Sequence, residues 1–149
     1  MTEEASWTIR TPREEDLAAI ARLAGELGYP STAEDLCGRW GRIHGSADHA
    51  VFVAMGSDGN LYGWIHVFTA LYLESSPSGE IGGLVVTEDQ RGEGVGGALL
   101  QRAEKWARQR RMQRLRVRTR MERKKAQRFY ERLGFKPTKV QQVLDKELV

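Results

Sequence analysis

The sequence predicts a mixed α/β protein in which strands and helices alternate around one sheet. Apolar residues recur at helical spacing in four segments, and short strand-like runs lie between these segments. The chain has 149 residues, which is the size of one ordinary domain. We therefore expect a single domain over residues 1–149, with the element order β-α-α-β-β-β-α-β-α-β-β.

The composition is that of a folded protein without a membrane segment. There are 23 Lys and Arg against 20 Asp and Glu, and 40% of the residues are hydrophobic. No apolar run approaches the roughly 20 residues that a membrane span needs, and residues 1–4 lack the basic region of a secretion signal. A lone Cys37 and three dispersed histidines give no metal-ligand spacing. We expect a cytoplasmic protein without a structural metal.

The first third of the chain predicts one strand and two helices. Residues 7–10 form a short strand, and Pro12 with the acidic residues after it suits the start of a helix that runs to Gly28. Ser31 or Thr32 caps a second helix. Apolar residues at helical spacing support both helices; they are Leu17, Ile20, Leu23, Ala24, Leu27, Leu36, Trp40 and Ile43.

Three strands follow. Residues 50–55 and 61–71 are strand-like runs, and the Asp58-Gly59 step between them favours a tight hairpin turn. A polar stretch then leads into a strand over residues 80–86. These segments predict consecutive antiparallel strands in the middle of the sheet.

The last third predicts two helices and three strands. Residues 95–110 place their apolar side chains on one face and form a helix. Leu115, Val117 and Thr119 alternate with arginines, which predicts a strand. A final helix covers residues 123–133 and ends at Gly134. Residues 135–140 and 143–148 are expected to close the sheet as two short strands.

The turn between the strand at 80–86 and the helix at 95–110 is rich in glycine. Glycine allows a ligand to approach the backbone closely, and the first N–H groups of a helix have no internal partners. This combination favours a phosphate or pyrophosphate site over a plain surface turn. A dinucleotide-binding fold is disfavoured because only one further helix follows, and a P-loop is disfavoured because no Gly-Lys-Ser/Thr sequence is present.

Three segments of the chain resemble the GCN5-related N-acetyltransferase (GNAT) superfamily. Its signature is Arg or Gln, two residues, Gly, one residue, then Gly or Ala, and Arg91, Gly94 and Gly96 match it. The segments at residues 80–86 and 126–135 are similar as well. The resemblance implies an α/β (α+β) fold with a mixed, splayed sheet of six to seven strands and helices on both faces.

The resemblance also implies that acetyl-coenzyme A is the co-substrate. Backbone groups of Leu84, Val85 and Val86 are expected to pair with the pantetheine amides. The pyrophosphate is expected on the main chain of the glycine turn, whose residues are Arg91, Gly92, Glu93, Gly94, Val95, Gly96 and Gly97. Arg123 stands where the family often has Asn, and it is expected to approach a phosphate instead.

Two residues are candidates for the chemistry of acetyl transfer to a primary amine. The amine must lose a proton before it attacks, and a carboxylate can accept that proton directly or through water. Glu80 matches the position of the family's glutamate base, against the alternative of a solvated strand-end residue. Tyr130 matches the family's tyrosine, whose phenol can stabilise or protonate the leaving sulfur, against the alternative of a core aromatic residue.

The acceptor is expected to bind near the first two helices and the loop after the third strand. Family resemblance places Tyr29, Glu34, Tyr72 and Glu74 there, and acidic groups beside aromatic ones suit a cationic amine. An aminoglycoside acetyltransferase is a narrower reading, because the segments at residues 106–108 and 128–135 resemble those members of the family. His66 is either structural or faces the acceptor groove. A homodimer is common in the family and is expected here.

A basic segment supports a hypothesis of a different class. It could bind nucleic acid without any catalysis, but no aromatic stacking platform accompanies it, so solvated surface or a subunit contact is favoured. Its members are Arg110, Arg111, Arg114, Arg116, Arg118, Arg120, Arg123, Lys124 and Lys125.

Overall fold

The computed structural model describes residues 6–149, so residues 1–4, on which the secretion-signal argument rests, lie outside the described part. The described residues form two compact units, one ending at Arg118 and the other spanning Thr119–Val149. Within residues 6–149, no helix combines the length and apolar character that crossing a membrane requires.

The first unit contains five strands and three helices. In chain order they are β1 (Trp7–Arg10), α1 (Leu17–Glu26), α2 (Ala33–Ile43), β2 (His49–Gly56), β3 (Leu61–Ala70), β4 (Ser78–Val86), α3 (Val95–Gln109) and β5 (Leu115–Val117). Single 3-10 turns at Glu14–Asp16 and Glu88–Gln90 precede α1 and α3. The second unit contains the helix α4 (Lys124–Arg132).

The five strands form one mixed sheet in the order β1-β2-β3-β4-β5. The first four are antiparallel neighbours; a tight hairpin joins β2 to β3, a loop joins β3 to β4, and α1 and α2 lie between β1 and β2. The connection from β4 to β5 passes through α3, and these two strands are parallel. Their pairing is short: it covers only Gly79 with Leu115, Glu80 with Arg116, and Ile81 with Val117.

The two faces of the sheet carry different helices. Val53 is fully buried in a cluster with Leu17, Ile20 and Leu23 of α1. Its neighbour Phe52 points to the other face, where the guanidinium of Arg102 on α3 lies 4.2 Å from its ring centroid. Because successive strand residues point to opposite faces, α1 and α3 cover opposite sides of the sheet. The predicted arrangement of helices on both faces is confirmed.

The start of α1 is fixed by a buried ion pair. Asp16 is only 6% exposed, and its Oδ2 lies 2.6 Å from Nη1 of Arg10 and accepts a hydrogen bond from the backbone N–H of Arg13. These donors, led by the Arg10 guanidinium, lower the pKa of the Asp16 carboxyl below its ordinary value. The acidic residues after Pro12 therefore precede α1 as a capped turn.

The predicted sheet of six to seven strands is corrected to five. Residues 135–140 and 143–148 adopt no regular secondary structure, so the two closing strands are absent from the described chain. Alternating side chains favour a strand only where a neighbouring strand accepts the backbone hydrogen bonds. The mixed α/β class itself is confirmed.

Candidate active site

The glycine turn before α3 presents bare backbone N–H groups. Gly92 and Gly94 adopt φ of 85° and 91°, a left-handed conformation that glycine adopts without strain. Gly94 caps α3 without any side-chain hydrogen bond, and the first N–H bonded within the helix is that of Ala98, 3.1 Å from the Gly94 carbonyl oxygen. Among the described residues, the N–H groups of Val95, Gly96 and Gly97 therefore have no acceptor.

Other groups of the same turn form hydrogen bonds within the protein. The N–H groups of Arg91 and Glu93 donate to the carbonyls of Glu88 and Gln90, at 3.3 Å each. The Arg91 guanidinium bonds the Val86 carbonyl through Nε at 3.3 Å and lies 3.8 Å from the Glu26 carboxylate. The structure thus fixes the first residues of the turn to the end of β4 and leaves the start of α3 open to an anion.

The strand leading into the turn has a free edge. Over residues 63–70, β3 covers one edge of β4, whereas β5 covers the other edge only at residues 79–81. From Gly82 to Val86, the second edge of β4 has no strand partner among residues 6–149. The Thr87 N–H donates to the Tyr62 carbonyl of β3 at 2.8 Å. Because the hydrogen-bonding direction alternates along a strand, the backbone of Val85 faces β3, and that of Leu84 and Val86 faces this edge. The Val86 carbonyl accepts from Arg91 there, and Leu84 is accessible to a ligand that pairs like a strand.

Glu80 lies at the centre of a charged cluster in the first unit. The residue is 8% exposed, and its Oε1 accepts hydrogen bonds from the Tyr72 hydroxyl at 2.9 Å and from Nη2 of Arg118 at 3.0 Å. Nη1 of Arg116 is 4.0 Å from the same oxygen. Glu80 is therefore not a solvated strand-end residue.

Two histidines lie on the same sheet face as Glu80. Nδ1 of His49 is 3.0 Å from Nε2 of His66, and the rings stack. Burial, with a smaller contribution from His49, lowers the pKa of His66 to about 4. Phe68, the β3 residue paired with Glu80, stacks on His49. His66 is thus a neutral, half-buried group at ordinary pH.

Tyr130 lies on α4 in the second unit. Its ring makes edge contacts with Phe129 and Phe135, with centroids 5.1 and 5.5 Å apart. Burial raises the pKa of the Tyr130 phenol, while the positive charge of Arg123 acts in the opposite direction. The phenol therefore keeps its proton at neutral pH and can donate it.

The predicted acceptor residues are only partly brought together. Tyr72 contacts Glu80 directly. Tyr29, Glu34 and Glu74 are exposed, and among the described residues none of them has a hydrogen bond or ion pair with Glu80. The structure gives Tyr72 a partner inside the protein and leaves the other three on the surface.

Two members of the basic segment contact Glu80, and the side chain of one of them, Arg118, is 53% exposed. Arg116 and Arg118 point to Glu80, because the parallel pairing sets Arg116 beside Glu80 and places Arg118 two residues further on the same face. The alternation of arginines was visible in the sequence, but its register with β4 was not. The proximity of His49 to His66 could have been inferred from the hairpin turn at Gly59. Pairing residues outward from that turn sets His49 opposite Phe68, two residues along β3 from His66.

Among residues 6–149, His, Cys, Asp and Glu side chains form no group of three that could hold a metal ion. Cys37 is exposed on α2.

Comparison with known proteins places the chain in a family. The Acetyltransferase (GNAT) family matches residues 14–135, whereas no curated protein matches the sequence. Among solved structures, a putative acetyl transferase from Pyrococcus furiosus is 26% identical, with a TM-score of 0.72 over 95% of this chain and 99% of that one. A transcriptional regulator from Bacillus halodurans C-125 is 24% identical, with a TM-score of 0.83 over 94% and 99%.

The aminoglycoside N-acetyltransferase AAC(6')-Iy in complex with CoA is 20% identical, with a TM-score of 0.85 over 100% of this chain and 99% of that one. These structures share the fold, and the family match covers most of the sequence. The chain therefore belongs to the GNAT family of acetyltransferases.

Proposed function

We propose that this chain is an acetyl-CoA-dependent N-acetyltransferase that transfers an acetyl group to a primary amine by direct attack in a ternary complex. The observation that carries the proposal is the row of unbonded N–H groups of Val95, Gly96 and Gly97 beside the free edge of β4. The family match spans residues 14–135 and so includes parts of both compact units, which supports one acetyltransferase domain over residues 1–149.

The coenzyme is proposed to bind along β4 and the start of α3. The uncovered edge of β4 over Leu84, Val85 and Val86 is proposed to pair with the amides of pantetheine, and the glycine turn with the positive end of α3 receives the diphosphate. Arg123, at the start of α4, is proposed as an additional cation for a phosphate. A neighbour of the same fold with CoA bound supports this assignment.

The reaction needs one proton acceptor and one proton donor. A primary alkylamine has a pKa of about 10 and is mostly protonated at neutral pH. Glu80 accepts its proton, directly or through water, and the neutral nitrogen attacks the carbonyl carbon of the thioester. The new C–N bond forms, the attacking nitrogen loses its second proton to water, the C–S bond breaks, and the Tyr130 phenol gives its proton to the leaving sulfur. Exchange with solvent restores both side chains.

The acceptor is proposed to be a small molecule or polypeptide with a cationic amine. The exposed carboxylates of Glu34 and Glu74 and the exposed ring of Tyr29 suit such a group electrostatically. An aminoglycoside is the narrower form of this proposal, and the fold neighbour AAC(6')-Iy supports it. Binding of nucleic acid is disfavoured because two arginines of the basic segment point to Glu80.

A homodimer is part of the proposal. Val143, Leu144 and Leu148 are 79% to 87% exposed. Aliphatic side chains clustered in one exposed segment favour burial against a second copy of the chain.

The test is a thiol-release assay with acetyl-CoA and a panel of aminoglycosides, small amines and lysine peptides, together with calorimetric titration of CoA. We expect amine-dependent release of CoA thiol, and we expect Glu80→Gln to lower it strongly while Glu14→Gln, an exposed matched control, leaves it unchanged. Failure of the folded protein to bind CoA at millimolar concentration would refute the proposal. Salt-dependent binding of RNA or DNA without turnover would favour the nucleic-acid alternative.

A further inference from the structure

The hydrogen bonds of the Glu80 carboxylate are unevenly divided between its two oxygens. Oε1 receives the Tyr72 hydroxyl at 2.9 Å, Nη2 of Arg118 at 3.0 Å and the more distant Nη1 of Arg116 at 4.0 Å. Among the described residues, Oε2 receives no hydrogen bond. One oxygen is thus held by the protein, and the other retains its lone pairs for an outside proton.

Three separate segments build this cluster. Glu80 lies in β4, Arg116 is its register partner in β5, and Arg118 follows just after the end of β5. Tyr72 comes from the loop after β3 and also lies 3.5 Å from Nη2 of Arg118. These donors oppose rotation of the carboxyl group, because Oε1 would have to leave two hydrogen bonds.

The charges of the cluster also bear on its chemistry. Glu80 is almost completely buried, and its Oε1 faces two guanidinium groups and one hydroxyl group. A carboxyl group accepts a proton only in its ionised form. The groups that face Glu80 are Arg116, Arg118 and Tyr72, and the neutral ring of Phe68 on β3 is its remaining register neighbour.

We propose that Arg118 and Tyr72 are positioning residues for the Glu80 base: they fix Oε1 and direct Oε2 to the amine. This proposal rests on the acetyltransferase function proposed above. It gives Tyr72 a role in aligning the base instead of contacting the acceptor. It also gives a role to two of the alternating arginines, Arg116 in β5 and Arg118 just after it.

The experiment compares kcat/KM against pH for the wild type and three variants, with CoA affinity measured by calorimetry. For Arg118→Gln we expect a loss of about tenfold or more in kcat and an acidic limb displaced to higher pH, because the charged base is less favoured. Tyr72→Phe should show the same displacement with a smaller loss, and Arg118→Lys should restore part of the rate. CoA affinity should stay within about twofold.

Arg114→Gln is the matched control, because it removes the same charge from an exposed arginine four residues earlier whose side chain has no bond to Glu80. Glu80→Gln with Arg118→Gln should be no slower than Glu80→Gln alone, since Arg118 acts through Glu80. An unchanged profile in Arg118→Gln, or losses that multiply in the double variant, would overturn the positioning role. Loss of CoA binding in the wild type would instead overturn the acetyltransferase function on which it rests.

Discussion

Nδ1 of His49 lies 3.0 Å from Nε2 of His66, and the ring centroid of Phe68 is 5.6 Å from that of each histidine. Only one proton fits between two ring nitrogens at this distance, so a second would place two N–H groups against each other. One proton between the rings satisfies both nitrogens, and burial lowers the pKa of His66 itself to about 4.

This relationship predicts that the protein loses stability in mildly acidic solution. In the unfolded chain a histidine titrates near a pKa of about 6.5, so above pH 7 both states are neutral and the stability is complete. Between about pH 6.5 and pH 4 the unfolded state binds a proton that folded His66 does not, and the free energy of unfolding falls as the pH falls. Below pH 4 both states are protonated and this loss stops.

Urea denaturation at pH 7 and pH 5 measures the effect. The His66 contribution should amount to about 2 kcal/mol between these pH values, and His66→Gln should remove it from the difference. His44→Gln, which changes an exposed histidine at the end of α2, should keep the wild-type difference. If the wild type and His66→Gln lost the same free energy of unfolding between pH 7 and pH 5, His66 would have the same pKa in the folded and unfolded states.

Local patterns were sufficient to predict most helices and strands. The start of α3 at Val95 follows from the glycine turn, and the hairpin of β2 and β3 follows from the Asp58-Gly59 step, since both signals lie within a few residues of the structure they cause. The prediction of two C-terminal strands was wrong because a strand depends on a partner that its own sequence does not specify. Glu80 was chosen as a candidate by its position in the sequence, but its contact with Arg118 depends on a parallel register across 38 residues.

Gly97→Ala should weaken the coenzyme complex while stabilising the folded protein. A Cβ built at Gly97 has no protein atom within 4 Å, so the methyl group fits the free protein and raises helix propensity by about 1 kcal/mol. In the proposed complex the same methyl group stands where the diphosphate approaches the main chain. The dissociation constant for CoA should rise at least about tenfold, measured by calorimetry.

Gly38→Ala in α2 is the control for this prediction, because its added Cβ also meets no atom within 4 Å. It should raise the melting temperature to a similar degree and leave CoA binding unchanged. Equal CoA affinities for the two variants would remove the diphosphate from the start of α3.

Tyr130→Phe should slow acetyl transfer without weakening coenzyme binding. Burial raises the pKa of the Tyr130 phenol, so it remains a proton donor through neutral and mildly alkaline solution. Removing a positioned acid typically costs about 10² in rate, and the effect should appear in kcat with the Kd for CoA nearly unchanged. Phe129→Leu, which alters the adjoining ring of the same helix, should affect stability more than kcat. A wild-type kcat in Tyr130→Phe would leave the phenol without a catalytic role.

The exposed aliphatic side chains near the C-terminus predict self-association. Val143 and Leu148 are 80% and 87% exposed, and burying both against a second copy removes apolar surface from water. We expect light scattering after gel filtration to give the mass of a dimer. Val143→Lys with Leu148→Lys should produce monomers, because an unpaired ammonium group is costly to bury. Gln142→Lys adds a charge at a neighbouring polar position and should preserve the dimer, whereas a monomeric wild type at high concentration would show that this segment does not join two copies.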